Sequence, residues 1–218
     1  MQTMEALLEQ AEVAHGHLCA GQILGVRMAM LGCERLGVDD PRGLESPRDR
    51  KRLVTVVEID RCATDAIAVV TGCRLGKRAL KFRDWGNMAA TFVDLAGPLG
   101  EQDGSPLYKG IRIAALESSK QRARELYPQM ENKNQQQMRA YREMPVEDLF
   151  SEQWVQVALH PREMPGYKSA RIACSRCGEG INYDREVRAG EEILCEACAN
   201  VADRYYQPLA VPADATRT

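Results

Sequence analysis

Four cysteines near the C-terminal end limit the possible folds of this chain more than any other feature. Cys174 and Cys177 form one CxxC pair, Cys195 and Cys198 form another, and seventeen residues, 178–194, separate the pairs. A CxxC turn brings two thiolates to neighbouring corners of a tetrahedron, and a second pair at this separation closes the other two corners, as in structural zinc sites. The spacing therefore predicts a structural zinc ion held by four protein ligands.

The expected cellular compartment decides how the cysteines are interpreted. The first residues, MQTMEALLEQAEVAHG, have no basic start followed by a continuous apolar core, and no segment approaches the ~20 apolar residues that span a bilayer. We therefore expect a cytoplasmic protein with no membrane contact. Thiols stay reduced there, so the eight cysteines are interpreted as metal ligands, reactive groups or core residues. Buried free thiols or two disulfides are the alternative for the C-terminal set.

The residues around the four cysteines predict a small module. INYDREV and EEIL can form a hairpin across residues 188–190, Gly178 relieves the first knuckle, and Cys195 opens a helix through ANVADRYY. Knuckle, hairpin and helix start together resemble a treble-clef zinc finger. A segment of about 35 residues cannot build much of a core, so the metal is expected to supply most of its folding free energy. With all four positions filled by protein, its role is structural or in recognition, and any chemistry lies elsewhere.

The rest of the chain predicts an α+β core domain. Helical patterns occupy 2–14, 20–36, 62–72, 117–127 and 132–144, and strand patterns occupy 53–59, 79–83, 88–96, 110–116 and 154–160. Strands and helices mix without strict alternation, which favours the α+β class, a mixed helix and sheet core with the finger appended. Gly21 and Gly25 lie four apart on one face of the second helix, which allows another backbone to come close.

Prolines and glycine mark a boundary after the last strand. Pro161, Pro165 and Gly166 precede the cysteine-rich part, so we predict a core domain over 1–166, a finger over 167–206 and a flexible tail over 207–218. The basic run RDRKR at 48–52 is interpreted as a solvated loop that leads into a strand.

The segment HGHLC carries two of the three histidines of the chain, His15 and His17, together with Cys19. In an extended backbone all three side chains point to one side, so joint action requires an extended segment with a helix that begins near Cys19. A thiol at a helix N-terminus lies in a positive field that favours the thiolate. The segment is too polar for a core seam and has the residue types of a metal site, although one histidine acting as a helix cap is the simpler alternative.

One short segment cannot readily surround a metal, so partners from elsewhere are expected. Cys62 is the first candidate because it lies at the start of the helix after a strand, with Asp65 on the same face. Cys73 is separated from Cys62 by roughly 16 Å of helix and cannot join the same ion. A core role is the alternative for Cys62 and Cys73 and the favoured interpretation for Cys33, and the lone His160 is interpreted as structural.

Several ordered motifs resemble the E-subunit family of formylmethanofuran dehydrogenase. They are HGHLCAGQILGVRMA, CATDAIAVVTGCRLGKRAL, DWGNMAATF and the terminal four-cysteine finger. The resemblance implies an α+β core with a treble-clef finger, a homodimer, and an association with the molybdenum or tungsten enzyme that fixes carbon dioxide onto methanofuran. The functional motifs of the family match His15, His17, Cys19, Cys62, Asp65, Gly72 and Cys73.

These patterns lead to one main hypothesis of function. His17, Cys19 and Cys62 would hold a second metal, expected to be zinc, and His15 and Asp65 would be the catalytic proton-handling groups beside it. Three protein ligands leave a fourth position for water or a small-molecule ligand. Only the family resemblance suggests that this ligand is a one-carbon or pterin-like compound.

Two other functions stay open at this point. One is an accessory subunit, or a metal or cofactor carrier, that docks on an oxidoreductase. The other is a finger that contacts RNA polymerase or nucleic acid, because its CxxCG knuckle also looks like that of stringent-response transcription factors. The formal net charge of −2 and the additional core motif argue against nucleic-acid binding.

Overall fold

The computed structural model describes residues 1–44 and 51–209, and the chain divides into two compact units, Met1–Gly166 and Tyr167–Thr218. Two of the predictions lie wholly or partly outside the described residues. The basic loop loses its first three residues, 48–50, and the tail loses 210–218. Within the described ranges, no helix is both long and apolar enough to cross a membrane.

The helices of the first unit follow the predicted pattern closely. They are α1 Met4–His15, α2 Ala20–Leu36, α3 Cys62–Thr71, α4 Ser118–Leu126, α5 Lys133–Glu143 and the single turn α6 Val146–Leu149. The side chain of Thr3 accepts a hydrogen bond from the N–H of Ala6 and so caps α1. The turn α6 was not predicted, because four residues after Pro145 are too few to display a helical period.

Five strands form one mixed sheet in the first unit. They are β1 Leu53–Val57, β2 Leu80–Phe82, β3 Ala89–Gln102, β4 Ser105–Ala115 and β5 Phe150–Ala158. Their order is β2-β1-β3-β4-β5, with β1 and β2 parallel and the other neighbours antiparallel. A mixed sheet combined with separate helices confirms the predicted α+β class.

The hairpin of β3 and β4 is much longer than the sequence predicts. Both strands extend to a two-residue turn at Asp103 and Gly104, which have φ of 49° and 72°. The glycines and prolines of this stretch are typical of a loop, and the ladder accommodates them through register shifts between Val93 and Gly100. Strand β5 likewise begins at Phe150, four residues before the predicted start, because it pairs along the whole upper part of β4.

The main core lies between the helices and one face of the sheet. Phe92, Ile111 and Ile113 are fully buried there with most of α2. A Cβ on Gly25 would lie 2.4 Å from the carbonyl oxygen of Ala63, so α2 and α3 touch through their backbones. This contact confirms the close approach predicted from Gly21 and Gly25, and it brings the starts of α2 and α3 side by side.

The second unit consists of two short hairpins and one helical turn. Its elements are β6 Ile172–Ala173, β7 Gly180–Ile181, β8 Val187–Ala189, β9 Glu192–Leu194 and α7 Glu196–Ala199. The predicted hairpin is wrong at its start, because Ile181 pairs with Ile172 around the first knuckle and leaves only Val187–Ala189 to pair with β9. The predicted long helix ends at Ala199, since the extended backbone of Asn200 interrupts it before a short 3-10 turn.

Candidate functional site

The four cysteines of the second unit form one compact group. Ligand atoms of Cys174, Cys177, Cys195 and Cys198 all lie within 4.8 Å of one another. Gly178 adopts a φ of 77°, and its N–H donates to the carbonyl of Cys174, which closes the first knuckle as predicted. The spacing of two CxxC pairs therefore folds into a closed set of four sulfur donors.

The surroundings of these thiols separate their proton affinities. Backbone N–H groups of Cys177 and Cys195 lower the pKa of Cys174 to about 6, so this residue is a thiolate at neutral pH. Burial and the neighbouring thiols raise the pKa of Cys198 to about 12. Four soft donors with an anionic character fit a single metal ion such as zinc, which would complete their neutralisation.

A turn between α1 and α2 builds the second group of donors. His15 is the last residue of α1, and Gly16 ends the helix with a φ of 94° while its N–H donates to the carbonyl of Glu12. Cys19 is the extended N-cap of α2. The prediction of a wholly extended HGHLC is wrong at His15, because the left-handed glycine reverses the chain after a complete helix. Ligand atoms of His15, His17 and Cys19 nevertheless lie within 4.8 Å of one another.

Asp65 of α3 contacts this group directly. Its Oδ2 lies 2.8 Å from Nδ1 of His15, and the side chains of His15 and Asp65 are 19% and 57% exposed. The ring of His15 lies 4.9 Å from that of His17, centroid to centroid. Because Nδ1 is engaged by the carboxylate, Nε2 is the nitrogen of His15 that remains for a metal or ligand. Carboxylates that orient a histidine in this way are typical of metal sites.

Cys62 begins α3 next to Cys19. A Cβ on Gly21 would lie 3.3 Å from Cβ of Cys62 and 3.8 Å from Sγ of Cys19, so a side chain at position 21 would crowd both cysteines. Burial, followed by the interaction with the Cys19 thiol, raises the pKa of Cys62. Cys62 thus adjoins the group, although the set of mutually close donors among the described residues comprises only His15, His17 and Cys19.

The other cysteines and the third histidine lie elsewhere. Cys33 is fully buried in the main core, and this burial raises the pKa of its thiol. Cys73 follows the opposite end of α3 and accepts a hydrogen bond from the hydroxyl of Thr55. His160 accepts a hydrogen bond from the N–H of Arg162 and caps a 3-10 turn. Each position agrees with the structural role that the sequence suggests.

Two polar residues near the site were missed from the sequence. Gln22 is fully buried in α2, three residues after Cys19, and neither Oε1 nor Nε2 has a hydrogen-bond partner among the described residues. Asn134 of α5 accepts a hydrogen bond from the N–H of Ala20 at the start of α2. The signal for Gln22 was a single amide inside an apolar helical run, whereas no local pattern relates Asn134 to α2.

Two known proteins resemble parts or all of this chain. A protein of Archaeoglobus fulgidus, described as a probable S-adenosyl-L-methionine-binding protein, is 39% identical over 87 residues, which are 40% of this chain and 23% of that relative. The chain therefore matches less than a quarter of the relative's length. The crystal structure of an FmdE-like protein of tungsten formylmethanofuran dehydrogenase, from Syntrophus aciditrophicus, has a TM-score of 0.57 and 19% identity, and the match covers 93% of this chain and 95% of that one. This likeness shows a shared fold.

A family model supplies the assignment. The family described as FmdE, molybdenum formylmethanofuran dehydrogenase operon, matches residues 14–151. The matched range is more than half of the chain and contains the complete group of donors between α1, α2 and α3. The motifs around that group predicted the same relationship. The chain belongs to the FmdE family.

Proposed function

We propose that this FmdE-family protein binds two zinc ions: a structural one in the finger, and one in the first unit that presents an open position to a small molecule of formylmethanofuran-type one-carbon redox metabolism. The observation that carries the proposal is the convergence of His15, His17 and Cys19 within 4.8 Å. Two imidazoles and one thiolate are a donor set that suits zinc, and three protein ligands are the number found in catalytic zinc sites.

The geometry favours a modified set of core ligands. The sequence assigned Cys62 as the third ligand and His15 as a proton-handling group. His15 belongs to the mutually close donors and Cys62 does not, so we assign His15, through Nε2, as the third ligand. Asp65 then orients the ring and selects its tautomer, as carboxylates do for zinc-bound histidines.

The remaining groups of the site have roles that follow from their exposure. When bound, zinc supplies a Lewis acid and a position for water or substrate. His17 is exposed and forms the solvent side of the site. The raised pKa of Cys62 keeps its thiol protonated, so it can donate a hydrogen bond to a ligand beside Cys19. Asp65 lies at the edge and can exchange protons with solvent.

The exposure of His17 and Asp65 also favours a second candidate function. An ion at a solvent-open site can leave more easily than one that is enclosed, which suits an accessory subunit that transfers a metal or cofactor to an oxidoreductase. A homodimer and docking on oxidoreductase subunits are part of this proposal.

The test of the core metal is elemental analysis of purified wild-type protein and single variants. We expect two zinc ions per chain in the wild type and in a His160→Gln control, which changes the histidine outside both groups. Cys19→Ser and Cys174→Ser should each lose one ion. Cys62→Ser should keep both if His15 is the third ligand. One zinc per chain, lost only in Cys174→Ser, would reject the core site.

The enzyme and the carrier differ in how firmly the core ion is held. Slow transfer of the Cys19-dependent zinc to a chromophoric chelator, together with heat release on adding a pterin-type ligand, supports a catalytic or ligand-binding site. Rapid transfer without any ligand response supports the carrier. S-Adenosylmethionine belongs among the compounds tested, because a relative of part of this chain carries it in its description.

A further inference from the structure

A pocket of about 300 Å³ lies in the first unit on the face of the sheet opposite the main core. Neighbouring strands place Lys81, Val56, Thr91 and Arg112 in one row across it. Residues that alternate with this row, such as Phe92 and Ile111, face the helices, so the row faces the other way. None of the residues that line the pocket belongs to the histidine and cysteine group.

The pocket has an apolar floor and an exposed indole. Val155, Val157 and Leu159 line it from β5 and the segment that follows. Trp85 lines the opposite side and remains 67% exposed, although its backbone N–H is fixed to the carbonyl of Glu58. An anchored but exposed indole next to valines offers a flat surface on which an aromatic ring can stack.

A buried ion pair forms the polar end of the pocket. Both carboxylate oxygens of Glu58 accept hydrogen bonds from Arg112, from Nε and Nη2, each at 2.7 Å, and the amide of Asn87 donates a third bond at 3.1 Å. Glu58 is 2% exposed and therefore fully occupied by its partners. Within the described part of the chain, Nη1 of Arg112 makes no hydrogen bond, so this nitrogen is available to a ligand.

The charges that line the pocket favour an anion. Three cations, Lys81, Arg83 and Arg112, face two carboxylates, Glu58 and Glu163. The Arg83 guanidinium lies 3.4 Å from Glu163, and its side chain is 59% exposed, so solvent weakens that pair. Guanidinium groups recognise carboxylates through paired N–H donors.

We propose that this pocket binds a small aromatic carboxylate, with its ring on Trp85 and the valine floor and its carboxylate at Arg83 and Nη1 of Arg112. The site is separate from the proposed metal centre and extends beyond the proposed function. A pocket of this volume is at the lower end of the range for small-molecule sites, which suits a single-ring ligand.

The experiment uses the full chain with Trp154→Phe, which leaves Trp85 as the only tryptophan. Benzoate is the probe, and benzamide, which has nearly the same shape without the charge, is the matched ligand. We expect saturable change of the Trp85 emission with benzoate and at least ten-fold weaker binding of benzamide. Arg83→Gln should weaken benzoate binding about five- to ten-fold, while Arg124→Gln, an exposed arginine on α4, should leave it unchanged.

Three results would overturn the proposal. The first is a linear, non-saturating response to benzoate, and the second is equal binding of benzamide. The third is a Trp85 emission that depends on protein concentration and not on benzoate, because a second copy of the chain would then cover this face. Calorimetric titration of Trp85→Leu checks the stacking contact independently of fluorescence and should show weakened benzoate binding. The Cys19→Ser variant should bind benzoate normally, which separates this site from the proposed metal centre.

Discussion

The two groups of metal-ligand residues are built in opposite ways. The finger draws its four cysteines from one stretch, 174–198, whose apolar contacts are limited to a few residues around the cysteines themselves. The core group takes His15, His17 and Cys19 from one turn, but Asp65 from fifty residues further along the chain. It stands on a unit with an extensive core of its own. A metal would therefore create the fold in one unit, whereas the fold creates the site in the other.

The strongest effect should be loss of the finger in Cys195→Ser. Structural zinc contributes on the order of 10–16 kcal/mol to the folding of small fingers, far more than the short hairpins of this unit can replace. Hydrogen exchange should therefore show lost protection in 167–209 and unchanged protection in the first unit. Glu196→Gln, at the exposed neighbouring position, is the control and should behave as wild type. A finger that stays protected in Cys195→Ser would show that its apolar contacts suffice.

The next effect concerns the ion pair that precedes the core site by four residues. The Arg112 guanidinium lowers the pKa of Glu58 below its ordinary value of 4.5. A carboxyl whose pKa is lowered by folding contributes stability above its unfolded pKa and loses this contribution as the pH falls through its folded pKa. Stability of the first unit should thus decline below about pH 4.5.

Glu58→Gln tests this assignment. The variant should have an unfolding free energy about 1.5–3 kcal/mol lower at pH 7, since a hydrogen bond to a charged group is lost, and a flatter pH dependence in acid. Denaturant unfolding at several pH values measures both quantities. The exposed Glu101→Gln of the β3–β4 hairpin should retain the wild-type profile. An equal acid response in both variants would mean that Glu58 does not control the pH dependence.

A smaller effect is expected when the hydrogen bond between α1 and α3 is changed. Asp65→Asn keeps the shape of the side chain but removes the charge that orients His15. Loss of such an outer partner weakens metal binding about 10- to 100-fold. Competition with a chelator should show this loss for the core ion only, and Asp60→Asn, an exposed aspartate in the same loop, should leave both ions unchanged. Equal affinity in Asp65→Asn would remove His15 from the proposed ligands.

The weakest effect should be a gain of stability in Gln22→Leu. A buried amide without partners loses its hydration and recovers nothing, so an apolar side chain of similar volume should raise the unfolding free energy by about 1 kcal/mol. Thermal or denaturant unfolding measures the change, and the exposed Gln135→Leu on α5 is the control. Destabilisation, or loss of the core zinc, would instead show that the amide serves a bound water or ligand.

Local spacing explains what could be predicted. The CxxC pairs and HGHLC place their donors within a few residues, so covalent geometry brings them together in almost any compact fold. The helical and strand periods likewise identified the α+β class. The long β3–β4 hairpin escaped prediction because its ladder tolerates glycine and proline through bulges that only a paired partner strand stabilises.

The amino-acid sequence alone was sufficient to identify the two donor groups, the α+β class and the close approach of α2 to a neighbour through Gly21 and Gly25. The residues that complete the core site depend instead on tertiary packing. Asp65 contacts His15 and Cys62 adjoins Cys19 because α2 and α3 meet backbone to backbone. The difference is one of range: spacing along the chain controls contacts over one or two turns, whereas contacts over fifty residues depend on how helices pack on each other and on the sheet.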